Sequence, residues 1–314
     1  MTIPAATAID VSGLTKRFGA VVAIRDVTFE VQRGEIFGLI GPDGAGKTSI
    51  LRVLSGVMAA NGGKVVVDGV DVTSHPDDVR PRISYMPQRF GLYEDLTVDE
   101  NIRFYADVFE IPRRLRDERA ARLLAASGMA EFRKRLAGEL SGGMKQKLGL
   151  TCSLVHAPRI VLLDEPTTGV DPVSRREFWQ ILYSLRAEGV TIVISTAYFD
   201  EAERCDRLAL LHTGIVRYCE SPVALRARMP GALLEIPTSA ARAARDAIAG
   251  QPGVYSALMV GDGVHVHVDE AGRRGSELDD ALTAHAVPDG VIREVTPNVE
   301  DLFVALLAPG AKAA

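Results

Sequence analysis

The stretch Gly41–Thr48 reads GPDGAGKT and fits the spacing G-x-x-x-x-G-K-[ST]. Residue types in that pattern can hold phosphate. Glycines let backbone N–H groups close on anionic oxygens without Cβ clashes, and a helix N-terminus behind the loop adds a favourable field. Lys47 can reach β- and γ-phosphates, and Thr48 carries a hydroxyl able to ligate Mg²⁺. Gly41, Pro42, Asp43, Gly44, Ala45 and Gly46 form the loop, and Ser49 lies at its exit. Asp43 places a carboxylate where a neutral residue would meet phosphate more easily.

A second chemical group lies downstream. The run IVLLDEP ends an apolar segment in two acids, Asp164 and Glu165. Acids at a strand end beside a phosphate loop are placed to hold a metal ion and polarise water. Asp164 suits the metal contact, and Glu165 suits the general base.

These groups need a frame. The phosphate loop follows the strand-like IFGLI and opens a helical stretch. DVTFEV, EIFGLIG, GKVVVDG and ISYMP read as strands, rich in β-branched and aromatic residues. RIVLLD and VTIVIST are continuous apolar runs, the pattern of strands buried on both faces of a parallel sheet. Between them, PVSRREFWQILYSLRAEG reads as a crossover helix with Pro172 near its start and Gly189 at its end. Strand, helix, strand in that order is a βαβ unit, so the expected fold class is α/β. From Thr97 to about Ala137 the pattern is helical, with a break at Pro112.

The chain of 314 residues is long enough for one large α/β domain with an appendage, or for two modest domains. Its acidity is uneven: the region from 230 onward holds 6 Lys and Arg against 12 Asp and Glu, and the first 229 residues hold 30 against 29. That balance offers no broad basic surface, and no nucleic-acid partner is expected. Cys152, Cys205 and Cys219 fit no zinc spacing and point to a reducing, cytosolic compartment. MTIPAATAID lacks the features of a secretory signal, and no apolar run approaches the roughly 18 residues of a membrane helix. Any service to a membrane would run through a partner.

LSGGMKQKLGL, starting at Leu140, carries a family resemblance. With the phosphate loop and the acid pair, it is similar to the nucleotide-binding subunit of ATP-binding cassette (ABC) transporters, over about residues 8–225. The resemblance implies a P-loop ATPase fold with a helical subdomain at about 89–155, and ATP with Mg²⁺ as cofactors. It implies that Ser141, Gly142 and Gly143 face the γ-phosphate held by a second nucleotide-binding unit, in a tandem chain, a homodimer or a heterodimer. Phe18 in KRFG matches the aromatic that stacks on adenine. Gln88 in YMPQRFG matches the glutamine that reaches Mg²⁺ and water. Asp171 in TTGVDP matches the loop crossing the dimer interface and is also placed to cap the helix at Pro172. The helical subdomain implies docking on separate transmembrane permease subunits, with the segment Tyr93, Glu94, Asp95 near that contact. The location implied is cytoplasmic, peripheral at the inner face of the membrane. In detail the motifs look most like the multidrug-export branch, and like the first half of tandem ATPases.

One position departs from the pattern. After VTIVIST the family has a histidine that contacts the γ-phosphate, and here Ala197 stands in its place. ATP binding is expected to persist, while hydrolysis at this half-site is put in doubt. Tyr198 is adjacent, but neighbouring side chains at a helix start point in different directions. Two other functions stay open: a soluble cassette ATPase acting on DNA or ribosomes, and a regulatory ATP clamp that hydrolyses little.

The texture changes after about Met229, giving expected domains 1–228 and 229–314. LLEI, ARAARDAIAG, VYSALMV, GVHVHV, ELDDALTAHA and VIREV suggest the order β-α-β-β-α-β, which resembles a small ferredoxin-like α+β domain, followed by a helix at NVEDLFVALL. His265 and His267 alternate in GVHVHV and are expected on the solvent face of their strand. The tail APGAKAA reads as a loose terminus or the start of a linker.

Overall fold

The apolar runs that flank the chemical residues become the centre of a parallel sheet. In chain order the first part holds β1 (Thr7–Phe18), β2 (Val21–Gln32), β3 (Ile36–Ile40), α1 (Lys47–Leu54), β4 (Gly62–Val67), β5 (Val70–Asp71) and β6 (Ile83–Met86). It continues with α2 (Val98–Val108), α3 (Arg113–Ala126), α4 (Gly142–Leu154), β7 (Ile160–Asp164), α5 (Pro172–Ala187), β8 (Thr191–Thr196), α6 (Phe199–Ala202), β9 (Arg207–His212) and β10 (Ile215–Glu220). The computed structural model describes residues 6–287 and 291–307, so the C-terminal tail lies outside the described residues. The chain divides into two compact units, Met1–Cys219 and Glu220–Ala314.

Every residue of β3, β7 and β8 is buried, as continuous Ile, Val and Leu runs require when both faces of the sheet are covered. The sheet order is β10-β9-β3-β8-β7-β6, with β3 parallel to β8 and β9, and β7 parallel to β6 and β8. This register sets Ile40 beside Thr196 and Asp164 beside Ser195. The chemical residues therefore gather at the carboxyl ends of adjacent strands. A second sheet, β2-β1-β4-β5, packs its Val, Ile and Leu side chains with α1 and one face of the parallel sheet in a single core. The sequence reading names no strand at β1, β9 or β10. In β1 the pairing with β2 is broken by register shifts around Gly13, which hides its alternation.

The helices α2, α3 and α4 share their own core, built from Val98, Ile102, Ala106, Leu124, Leu148 and Cys152. Thr97 starts α2 with a capping box: its hydroxyl accepts from the Glu100 N–H, and the Glu100 carboxylate accepts from the Thr97 N–H.

The second unit runs α7 (Pro222–Arg226), β11 (Ala232–Pro237), α8 (Ala241–Ile248), β12 (Val254–Val260), β13 (Gly263–Val268), α9 (Ala271–Ala284), β14 (Arg293–Val295) and α10 (Val299–Leu307). Its sheet order, β12-β13-β11-β14 with antiparallel neighbours, is that of a ferredoxin-like βαββαβ domain. The two histidines depart from expectation. His267 is 3% exposed, with Nε2 2.6 Å from the Pro230 carbonyl oxygen, and His265 Nδ1 lies 3.0 Å from Oδ1 of the buried Asp301. The physical reason is α10, which packs on β12 and β13 and covers the face that would otherwise meet water.

Candidate functional site

The loop after β3 turns tightly into α1. A Cβ at Gly41 would come within 2.3 Å of the Leu211 carbonyl oxygen, and one at Gly46 within 2.8 Å of the Ala23 carbonyl oxygen, so glycine is required at both. Gly46 is also the N-cap of α1, at φ +104°. Lys47 is buried, and its ammonium donates to the carbonyl oxygens of Gly41 at 2.8 Å and Pro42 at 3.1 Å. It also forms an ion pair with Glu165 Oε1 at 3.1 Å. The first loop and the acid pair are thus one charged cluster.

Asp164 is 1% exposed and accepts three hydrogen bonds. Thr48 Oγ1 donates to Oδ1 at 2.9 Å, Ser195 Oγ to Oδ1 at 2.8 Å, and the Tyr85 hydroxyl to Oδ2 at 3.2 Å. Burial, and next the negative charge of Asp164, push the Tyr85 phenol above its ordinary pKa, so Tyr85 remains a donor. Glu165 sits at φ +48°, a left-handed conformation unusual for a non-glycine residue. Its Oε2 accepts from Gln88 Nε2 at 3.1 Å.

A cleft of about 700 Å³ is lined by Lys47, Thr48, Gln88, Glu165, Ala197 and Tyr198 among others, with Asp164 buried behind Thr48. Asp43 stands exposed on its wall, with Gly44, Ala45, Gly46 and Ser49 beside it. Ala197 offers only a methyl group. The Tyr198 ring lies under the Arg175 guanidinium, 4.9 Å from the ring centroid, and Arg175 also pairs with Asp200 at 3.5 Å.

Other expected site residues stand elsewhere. Phe18, 48% exposed at the end of β1, has the Lys16 ammonium 5.1 Å from its ring centroid and does not line the cleft. Ser141 caps α4 by accepting from the Met144 N–H at 3.3 Å, with Gly142 following as the first helical residue. Gly143 packs so closely on Ser174 that a Cβ would fall 2.4 Å from its side chain. Asp171 caps α5, accepting from the N–H groups of Val173 at 3.0 Å and Ser174 at 2.9 Å. The bond from the Ser174 N–H leads the causes that hold the Asp171 carboxyl below its usual range. Ser141, Gly142, Gly143 and Asp171 therefore form a second cluster at the helix starts, outside the cleft. Sequence reasoning missed Ser195, Tyr85 and Thr168 as neighbours of the acids; Thr168, three residues after Glu165, is the one that local spacing could have found.

Comparison with known proteins gives consistent matches. The family model for ABC transporters matches residues 24–168. The chain is 41% identical over 303 residues to the probable multidrug ABC transporter ATP-binding protein YbhF of Escherichia coli K12, covering 95% of this chain and 52% of that protein. The chain thus spans about half the length of that relative. It is 39% identical over 208 residues to the Nod factor export ATP-binding protein I of Bradyrhizobium diazoefficiens, covering 66% of this chain and 68% of that protein. Among solved structures, an ATP binding subunit of an ABC transporter matches with TM-score 0.64 and 30% identity, over 71% of this chain and 93% of the other. The dimeric ABC transporter cassette MJ0796 matches with TM-score 0.62 and 26% identity, over 68% of this chain and 98% of the other.

Proposed function

The chain belongs to the ATP-binding cassette family of ABC transporters, and from that premise we propose that it binds and hydrolyses Mg-ATP to drive an export permease, at a half-site weakened by Ala197. The observation that carries this reading is the gathering of Lys47, Thr48, Glu165 and Gln88 around one cleft, with the buried Asp164 bonded to Thr48 just behind it, through contacts of 2.9 to 3.1 Å. Oxygen donors from Thr48, Asp164 and Gln88 suit a hard cation that keeps several ligand positions for phosphate and water.

Lys47 holds the β- and γ-phosphates, and the loop N–H groups share their charge. Anionic oxygens then replace Glu165 as the partner of the ammonium. Glu165 becomes free to accept a proton from water, and Gln88 keeps its carboxylate oriented. Bound Mg²⁺ would neutralise charge as the γ-phosphoryl group leaves.

The signature cluster, Ser141 to Gly143 with Asp171, lies outside the cleft, which supports completion of the site by a second nucleotide-binding unit. Phe18, half exposed with the Lys16 ammonium near one face of its ring, is the aromatic proposed to stack on adenine. Tyr93 and Phe104 stack edge to face at 4.5 Å and are 46% and 39% exposed on the helical subdomain, which supports docking on a permease there. No described helix is long and apolar enough to cross a membrane. The export relatives favour an export cargo, bound by the permease.

The missing donor at Ala197 favours one second reading, a regulatory clamp that binds ATP and turns over little. Equilibrium binding of a fluorescent ATP analogue, followed by phosphate release with and without the permease co-purified from membranes, separates the two. Absence of nucleotide binding would overturn both. Unchanged, negligible turnover with the permease present would leave the clamp.

A further inference from the structure

Ser195 is fully buried at the end of β8 and belongs to none of the motifs that define the site. Its hydroxyl accepts from the backbone N–H of Glu165 at 3.0 Å and donates to Asp164 Oδ1 at 2.8 Å. A serine hydroxyl has one proton, so the two bonds fix its direction: inward to the carboxylate, outward from the amide. The Glu165 N–H is shared with the Ser195 carbonyl oxygen at 3.1 Å. Glu165 is the residue at φ +48°, and a strained backbone persists only where its surroundings hold it. Ser195 is bonded to it and to Asp164 at once. Two residues further along the same strand exit stands Ala197, whose side chain has no donor for either acid.

We propose that Ser195 is a positioning residue whose hydroxyl joins the carboxylate of Asp164 and the backbone of Glu165 into one unit, so that seating Mg²⁺ at Asp164 and aiming the Glu165 carboxylate occur together. The proposal rests on the reading of the cleft as a Mg-ATP site. The arrangement explains why Asp164 is saturated from three sides. Thr48 ties it to the phosphate loop, Tyr85 to β6, and Ser195 to the strand that leads to Ala197. A hydroxyl that merely satisfied buried groups would leave metal binding unchanged when the fold survived its loss.

The test is a Mg²⁺ titration of fluorescent ATP-analogue binding by the full chain and by Ser195→Ala, Ser195→Thr and Ser195→Val. Threonine and valine have the same shape and differ in the hydroxyl. In EDTA all four proteins are expected to bind nucleotide within about twofold of one another. Loss of a hydrogen bond to a charged group is expected to raise the Mg²⁺ midpoint about tenfold in Ser195→Ala and Ser195→Val, and Ser195→Thr is expected to restore it. An unshifted midpoint in the alanine and valine variants, or a threonine variant that behaves like valine, would overturn the proposal. Circular dichroism monitors folding. If alanine and valine variants fail to fold while threonine folds, the hydroxyl serves the fold and the proposal is overturned as well. Failure of the unmodified chain to bind nucleotide in either condition would remove the premise, and appears in that arm alone.

Discussion

The wall of the cleft built from the phosphate loop and the end of β7 is crowded with paired polar groups, whereas the wall after β8 presents a methyl group and an arene. On the first wall Lys47, Thr48, Asp164 and Glu165 each have partners at 2.8 to 3.2 Å. On the second, the Ala197 side chain has no polar atom, and Tyr198 lies against Arg175. The contrast assigns different work to the two walls. On the proposed reading, the paired charges would hold phosphate and metal. A donor on the opposite side would stabilise charge as it develops on the leaving group, and at Ala197 that donor is missing.

Losing nucleotide binding altogether would break the first wall most completely. Lys47→Ala removes the cation that meets both loop carbonyls and Glu165. Truncating one partner of a buried, hydrogen-bonded charge pair is costly, and the expected loss of Mg-ATP affinity is at least on the order of 10²-fold. Titration with a fluorescent ATP analogue measures it. Unchanged affinity would mean that the loop does not bind triphosphate.

Glu165→Gln sharpens the comparison, because it keeps the shape of the wall and removes the base. Nucleotide binding is expected to remain, while phosphate release falls on the order of 10²–10⁴-fold. The measurement is steady-state phosphate release at saturating Mg-ATP. Retained turnover would show that water is activated elsewhere.

The first wall was largely legible in the sequence because its groups are close in the chain. Gly41 to Thr48 is one short loop, and Asp164 and Glu165 are neighbours at the end of an unmistakable strand. What the sequence did not display were partners brought in by sheet register. Ser195 lies 31 residues from Asp164, and Tyr85 lies 79 residues from it. No local spacing announces either contact; the parallel pairing of β7 with β8 and β6 creates them. His265 and His267 teach the same lesson in the second unit. Their alternation was visible, but the covering helix α10 comes from a segment 36 residues beyond His265 and changes an exposed face into a buried one.

Ala197→His tests the second wall by supplying the donor. Restoring one positioned donor of this kind is expected to raise turnover up to on the order of 10²-fold. In the double variant Ala197→His, Glu165→Gln the gain is expected to vanish, since the imidazole then has no base to assist. Matched phosphate-release assays of the four proteins measure the coupling. Equal gains with and without Glu165 would show that the histidine acts independently of the base.

The smallest expected effect concerns Tyr198, the other side chain on that wall. Its backbone N–H donates to Thr196 Oγ1 at 2.9 Å, which fixes the chain just before α6. Its ring is held against Arg175, and Arg175 is in turn tied to Asp200 on α6. The ring thus has a packing role that phenylalanine preserves, so Tyr198→Phe removes the hydroxyl alone. If the hydroxyl does not replace the missing imidazole, turnover should stay within about twofold, since a surface substitution that spares its packing is nearly neutral. Nucleotide affinity should be equally unmoved. A loss approaching that of Glu165→Gln would reverse the comparison. It would make the second wall catalytically complete through Tyr198, and the gain expected from Ala197→His would then have no deficit to repair.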